Sequence, residues 1–132
     1  MEYSEFEVLL KNSPLFMYDQ SALIPSTSGV YAAWLKGETR CLYAGKSTNL
    51  HRRIRSHFSG QRGSDQFCLY VYDIYVHINR PDGLDTAQVN DLTGEWIRKN
   101  VLFRFVELPE SEISEHEDSI RKACQPILNP LL

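Results

Sequence analysis

The sequence lacks a long apolar run, a paired cysteine pattern and an excess of positive charge. A membrane-spanning helix needs about 20 consecutive apolar residues, and no run here approaches that length. The N-terminus, Met1 to Lys11, is acidic and helically patterned, without the basic and apolar segments of a secretory signal. A soluble, cytoplasmic protein with no membrane association is expected. The three cysteines, Cys41, Cys68 and Cys124, are odd in number and widely spaced, with neither a CxxC pair nor a disulfide framework. Each lies in an apolar neighbourhood, so reduced core thiols are expected and a zinc site is not. A formal net charge of −3 argues at first against a polyanion partner, because phosphate affinity comes from Lys and Arg displacing counterions.

What is present alters that last exclusion. Between Arg40 and Ser64 the chain carries Arg40, Lys46, Arg52, Arg53, Arg55 and Arg62 and no Asp or Glu, so a basic patch sits on an acidic body. The 132 residues, 42% of them hydrophobic and 11% aromatic, suffice for one core, and a single domain over 1–132 without repeats or low-complexity linkers is expected.

Residues 3–10 predict a short helix with Tyr3, Phe6, Leu9 and Leu10 on one side, and 21–28 a loop. Gly29–Lys36 and Arg40–Ala44 read as strands joined by a three-residue hairpin loop at 37–39. Folded symmetrically about Glu38, this hairpin sets Ala33 opposite Tyr43 and makes Tyr31 and Tyr43 diagonal neighbours on one face, unless the register slips by one. A glycine turn at Gly45 should follow. Then Ser47, Thr48 and Asn49 are competent caps for a helix whose Leu50, Ile54 and Phe58 recur as a buried stripe. Arg52 and Arg55 point away from the stripe, while Arg53 and His57 fall on its border one turn apart.

Residues 60–65 form a turn-rich loop. The run 66–78, QFCLYVYDIYVHI, has strand-like composition, yet Phe67, Val71, Ile74 and Ile78 fit one helical face and Ser64 or Asp65 can cap it, so helix is favoured. Asp85 caps a further helix to about Lys99, with Val89, Leu92, Trp96 and Ile97 inward despite a cost at Gly94. Val101–Leu108 predicts a third strand, and Ser111 or Ser114 opens a last helix that Pro126 closes near Cys124. On that helix Glu117 shares a face with Ile113, Ile120 and Cys124, an acid on an apolar stripe that calls for a partner or a metal. The rival is an S-x-x-E capping box with Ser114, which disappears if Ser111 is the cap.

GVY at 29–31, YAG at 43–45, Asn49 and Leu50, and Arg53 with His57 four places on together resemble the GIY-YIG nuclease motif. Val30 and Ala44 depart from its letters by small apolar exchanges. The arginine–histidine spacing and the long gap before the final helix are closer to the restriction-endonuclease-like branch than to the excision-repair branch, and the resemblance spans roughly 29–130. It implies an α/β (α+β) fold with a small three-stranded, mainly antiparallel sheet flanked by helices, including a helix between the second and third strands.

It also implies a divalent-metal-dependent endonuclease acting on DNA, with a tyrosine, an arginine and one glutamate as the chemical groups. Glu117, with Pro126 nine places later and Asn129 twelve, occupies the glutamate position and would hold Mg²⁺ or Mn²⁺. Glu110, Glu112, Glu115 and Asp118 are alternatives expected to favour the positive helix N-terminus instead. Arg53 would hold the scissile phosphate. Tyr43 would deprotonate the attacking water, provided that cations among Lys46, Arg53 and His57 lower its pKa. Tyr31 would orient or share the proton, His57 relay it, and Asn129 position the phosphate or the glutamate. Lys46, Arg52 and Arg55 would contact nucleic acid. A non-catalytic nucleic-acid-binding or protein-interaction module with the same fold is the competing expectation, disfavoured by the presence of all six catalytic candidates. With the chain ending directly after the motif, recognition of a DNA site would fall to residues outside it, a homodimer or a separate specificity subunit, in a restriction, repair or mobile-element role.

Overall fold

The computed structural model of the protein describes residues 3–130, with the side chains of residues 3–7 and Ala123 outside that description. Three strands, β1 (Gly29–Leu35), β2 (Cys41–Ser47) and β3 (Val101–Glu107), form one antiparallel sheet in the order β2-β1-β3. The central strand β1 is apolar on alternate faces, so the sheet needs cover on both sides. Tyr31 and Ala33 enter the larger core with Leu50, Ile54, Phe58, Phe67 and Phe103, whereas Val30 and Ala32 join Leu10, Ala44, Ile113 and Ile120. The first face is covered by α2 (Leu50–Phe58), α3 (Gln66–Val71) and α4 (Thr86–Asn100). The second is covered by α1 (Tyr3–Asn12) and α5 (Ile113–Cys124).

The hairpin register is the expected one, Ala33 opposite Tyr43 and Tyr31 opposite Gly45. Its connection is longer than the expected three residues, spanning 36–40: past a register shift between Ala33 and Trp34 the last pair is Trp34 with Cys41, and Lys36 N–H bonds to Asn100 C=O. Gly45 is strand, not turn: β2 runs on to Ser47, which pairs with Gly29. A glycine is needed there because the Tyr31 phenol lies where a side chain would project.

Asn49 caps α2 by accepting from Arg52 N–H at 3.1 Å, and Leu50, Ile54 and Phe58 are buried beneath it, about 2 kcal/mol each. Asp65 caps α3. The helix then passes through a π-helical turn at Tyr72–Val76 and a 3-10 turn at His77–Asn79. The wider turn rotates the face, so Tyr72 and Val76 are buried while Ile74 and Ile78, expected inward, are exposed. Asp85 and Gln88 form a capping box on α4. Gly94 is tolerated because Ser59 C=O lies 2.8 Å from where its Cβ would be, a closeness only glycine permits.

Neither Ser111 nor Ser114 caps α5. Residues Glu110–Glu112 form a 3-10 turn, Glu112 is the cap residue, and the Ser114–Glu117 box is absent. The helix ends at Cys124, with Gln125 left-handed before Pro126. Three smaller expectations also change. Leu9 is exposed beside buried Leu10, and the packing expected of Tyr3 and Phe6 lies outside the described residues. The loop expected at 21–28 begins inside a 3-10 helix, Tyr18–Leu23. Cys41 and Cys68 are buried thiols, but Cys124, at the helix end, is exposed. No helix among the described residues is long and apolar enough to cross a membrane.

Candidate active site

A cleft of about 310 Å³ opens along β2, the edge strand next to the central one, lined by Tyr31, Tyr43, Lys46, Arg53, Glu117 and Asn129. β1 supplies Tyr31, β2 supplies Tyr43 and Lys46, and α2 supplies Arg53. α5 brings Glu117 and the tail brings Asn129. His57 lies behind Tyr31, 2% exposed, its ring 5.6 Å from Tyr43 and 4.8 Å from Phe67. The border position read for Arg53 and His57 divides in three dimensions: the imidazole is inside the core and the guanidinium is exposed.

Tyr31 Oη is 2.6 Å from His57 Nε2, and His57 Nδ1 is 2.8 Å from Asp65 Oδ2. Asp65 also accepts from Ser56 Oγ at 2.6 Å and from Cys68 N–H at 3.1 Å, and its side chain is wholly buried. A carboxylate can only accept, so the shared hydrogen belongs to His57 Nδ1. In the neutral ring Nε2 is then bare and accepts from the Tyr31 hydroxyl. The sequence marks Asp65 only as a candidate cap. Its second duty follows from the turn at 60–65, which folds α3's cap residue back onto α2 and leaves no local sequence signal.

The charges follow from these contacts. Burial by itself raises Asp65, but the hydrogen bond and charge of His57, with the bonds from Ser56 and Cys68, prevail and hold it at about 2. Burial lowers His57 and prevails over the bond and charge of Asp65, while Arg53 lowers it further. Tyr31 is pushed well above its usual value by burial and by Tyr43, with Arg53 opposing. Tyr43 is pushed up to about 12 by burial, then by Asp65 and Glu117, again against Arg53. This corrects the expectation that cations lower the Tyr43 phenol: desolvation outweighs them. Near neutral pH both phenols are protonated, His57 is neutral and Asp65 is ionised.

On the other wall, Asn129 Oδ1 accepts from Ala44 N–H at 3.1 Å and Nδ2 donates to Ala44 C=O at 2.5 Å, docking the tail on the edge of β2. Asn129 C=O accepts from Arg121 Nε at 2.9 Å, and Arg121 Nη1 reaches Glu117 Oε1 at 3.3 Å. The asparagine side chain is thus spent on the Ala44 backbone, and only the Asn129 main-chain carbonyl reaches toward the glutamate, through Arg121. Lys46 Nζ donates to Ser114 Oγ at 2.8 Å. Lys46 and Arg53 also line an adjoining hollow of about 470 Å³ with Arg52 and Ser56. Arg55 faces solvent and lines neither.

Among the described residues no three His, Cys, Asp or Glu side chains cluster as a metal-binding group. Glu117 is instead a lone carboxylate, its side chain 13% exposed at the cleft wall, with Oε1 in the Arg121 pair and Oε2 outside it. One hard oxygen ligand of this kind fits Mg²⁺, which characteristically keeps several waters and takes one or two carboxylates plus phosphate oxygens.

The fold and cleft define an α+β domain with a cationic entrance, a phenol-to-histidine bond and a single carboxylate. Residues 27–78 match the family model of the GIY-YIG catalytic domain. The match covers β1, β2, α2, α3 and the π-helical turn, and ends before α5. Searches among curated proteins and among solved structures return no match.

Proposed function

We propose that the protein is a divalent-metal-dependent endonuclease that hydrolyses phosphodiester bonds in DNA at the β2-edge cleft. The observation that carries this reading is the convergence of a phenol bonded to a neutral histidine, a guanidinium and a lone carboxylate in one opening. Arg53 binds the scissile phosphate and stabilises its developing charge, a task that suits a planar, permanently charged group. Lys46 and Arg52 hold neighbouring phosphates along the adjoining hollow. Glu117 holds Mg²⁺ or Mn²⁺, which when bound neutralises charge on the phosphate and leaving oxygens.

A phenolate is not stored in the resting site, because burial keeps both phenols protonated. Tyr31 therefore acts as a relay. As a water oxygen forms its bond to phosphorus, the water's proton passes to Tyr31 Oη and the Tyr31 proton passes to His57 Nε2. The P–O bond to the leaving nucleotide breaks with its electron pair, and that alkoxide takes a proton from solvent. His57 later returns its proton through Tyr31 Oη to water in the cleft. In this assignment Tyr31, rather than Tyr43, is the group next to the water, and Tyr43 walls the site and orients the phosphate. The four-residue spacing of Arg53 and His57 supports kinship with restriction-type enzymes.

Incubation with supercoiled plasmid tests the function: nicking is expected with Mg²⁺ or Mn²⁺ and not with EDTA. Glu117→Gln should abolish nicking while retaining DNA affinity. Full activity in that variant would refute the metal assignment, and no cleavage by the unaltered protein with either metal would refute the nuclease reading.

A further inference from the structure

Asp65 is not part of the cleft wall, yet it is the most completely coordinated acid among the described residues. It receives hydrogen bonds from His57, Ser56 and the Cys68 amide, and no water reaches it. Capping α3 needs one of these bonds only, and an asparagine or serine would supply it. A buried ionised carboxylate is costly unless its charge is used. Here it is aimed at the far nitrogen of the histidine that holds the Tyr31 hydroxyl.

We propose that Asp65 is a positioning residue of the cleavage reaction, fixing His57 in the tautomer whose bare Nε2 accepts the Tyr31 proton. The proposal rests on the nuclease reading for its consequence, but its geometry stands apart from it. Without Asp65 the imidazole can rotate or place its hydrogen on Nε2. The 2.6 Å bond would then run from His57 to Tyr31, and the phenol would have nowhere to send its proton. With Asp65 ionised, the direction of the chain Tyr31 to His57 to Asp65 is set before substrate arrives. The proton stops on His57, whose positive charge Asp65 then stabilises. Ser56, one residue before His57 on α2, fixes the carboxylate itself by its 2.6 Å bond to Oδ2.

The test is the nitrogen NMR signature of His57 in the unaltered protein and in Asp65→Asn. His57 Nδ1 faces both carboxylate oxygens, Oδ1 at 2.9 Å and Oδ2 at 2.8 Å; asparagine keeps Oδ1 for Cys68 N–H but removes the charge and sets an N–H against Nδ1 at the second position, so the Nδ1–H tautomer is no longer enforced. In the unaltered protein at pH 7, Nδ1 should be protonated and Nε2 bare. In Asp65→Asn the form with the hydrogen on Nε2 should become populated, and the cleavage rate under single turnover should fall by about a hundredfold or more, with DNA affinity unchanged and no recovery on raising the pH. Asp65→Glu, which keeps the charge, should recover part of the rate. A hydrogen on Nε2 in the unaltered protein would overturn the proposal whether or not the variant folds. So would a folded Asp65→Asn that cleaves at the normal rate. An unaltered protein that shows the expected tautomer but cuts no DNA would refute the nuclease reading and leave the role of Asp65 in orienting His57 intact.

Discussion

Gly45→Ala is the smallest change that should disable the site. A Cβ at this position would lie 2.5 Å from Tyr31 Cζ and close against Tyr31 Oη. Carbon atoms in contact prefer about 3.5–4.0 Å, so the ring must retreat by about 1 Å. It has little room: Tyr31 is 2% exposed, with the Phe103 ring at 6.1 Å and the Tyr43 ring at 6.4 Å. His57 is held from behind by Asp65 and cannot follow. The 2.6 Å bond between Tyr31 and His57 should break. Overpacking of this kind costs about 1–3 kcal/mol of stability, and a 1 Å misplacement costs about a hundredfold in rate. Thermal unfolding and single-turnover cleavage measure both. A midpoint lowered by several degrees is expected, with the protein still folded at 25 °C and the rate down about a hundredfold. In a Tyr31→Phe background the same substitution should cost little further rate, since the displaced hydroxyl is already absent. Unchanged rate and midpoint in Gly45→Ala would refute the placement of Tyr31 over β2.

The buried pair makes stability depend on pH. His57 is lowered from 6.5, so the unfolded chain binds a proton that the folded one refuses, and stability should fall as pH drops below 6.5. Asp65, at about 2 rather than 3.8, adds about 2 kcal/mol that is present above 3.8 and lost as pH falls through 2. Urea unfolding from pH 7 to pH 2 should show both losses, and Asp65→Asn should remove the lower one. Duplex DNA affinity should fall steeply with salt, with Arg52→Ala and Arg53→Ala each flattening the log–log slope by about 0.9 and Arg55→Ala leaving it unchanged, which equal slopes in all three would contradict.

The local rules carried the fold a long way. Hairpin symmetry set Ala33 against Tyr43, the four-residue recurrence of Leu50, Ile54 and Phe58 found the face of α2, and Asn49, Asp65 and Asp85 were all legible as caps. What failed involved geometry that a period cannot express. The π-helical turn at Tyr72–Val76 shifted the phase of a helical stripe and turned Ile74 and Ile78 outward. The 3-10 turn before α5 displaced its start. In the site, the convergence of the tyrosines was visible because it depends on one hairpin. Arg121 stands one turn from Glu117 on α5, a spacing the sequence does carry, whereas the place of Asp65 was not visible, because its partners Ser56 and His57 lie on another helix. The pKa directions were hidden for the same reason: Arg53 stands near Tyr43 as expected, but burial, a property of the whole fold, has the larger effect.

The assignment of the proton path is the centre of this account, and single-turnover cleavage by Tyr31→Phe and Tyr43→Phe tests it most directly. Each variant loses one hydroxyl and keeps its ring, so packing and DNA affinity should hold in both. Tyr31→Phe removes the group bonded to His57 and should slow cleavage by at least about a hundredfold, the low end for loss of general-base catalysis, whereas Tyr43→Phe should lose far less. The reverse order, with both variants folded and bound to DNA, would move the chemistry to Tyr43 and contradict the relay through Tyr31 and His57.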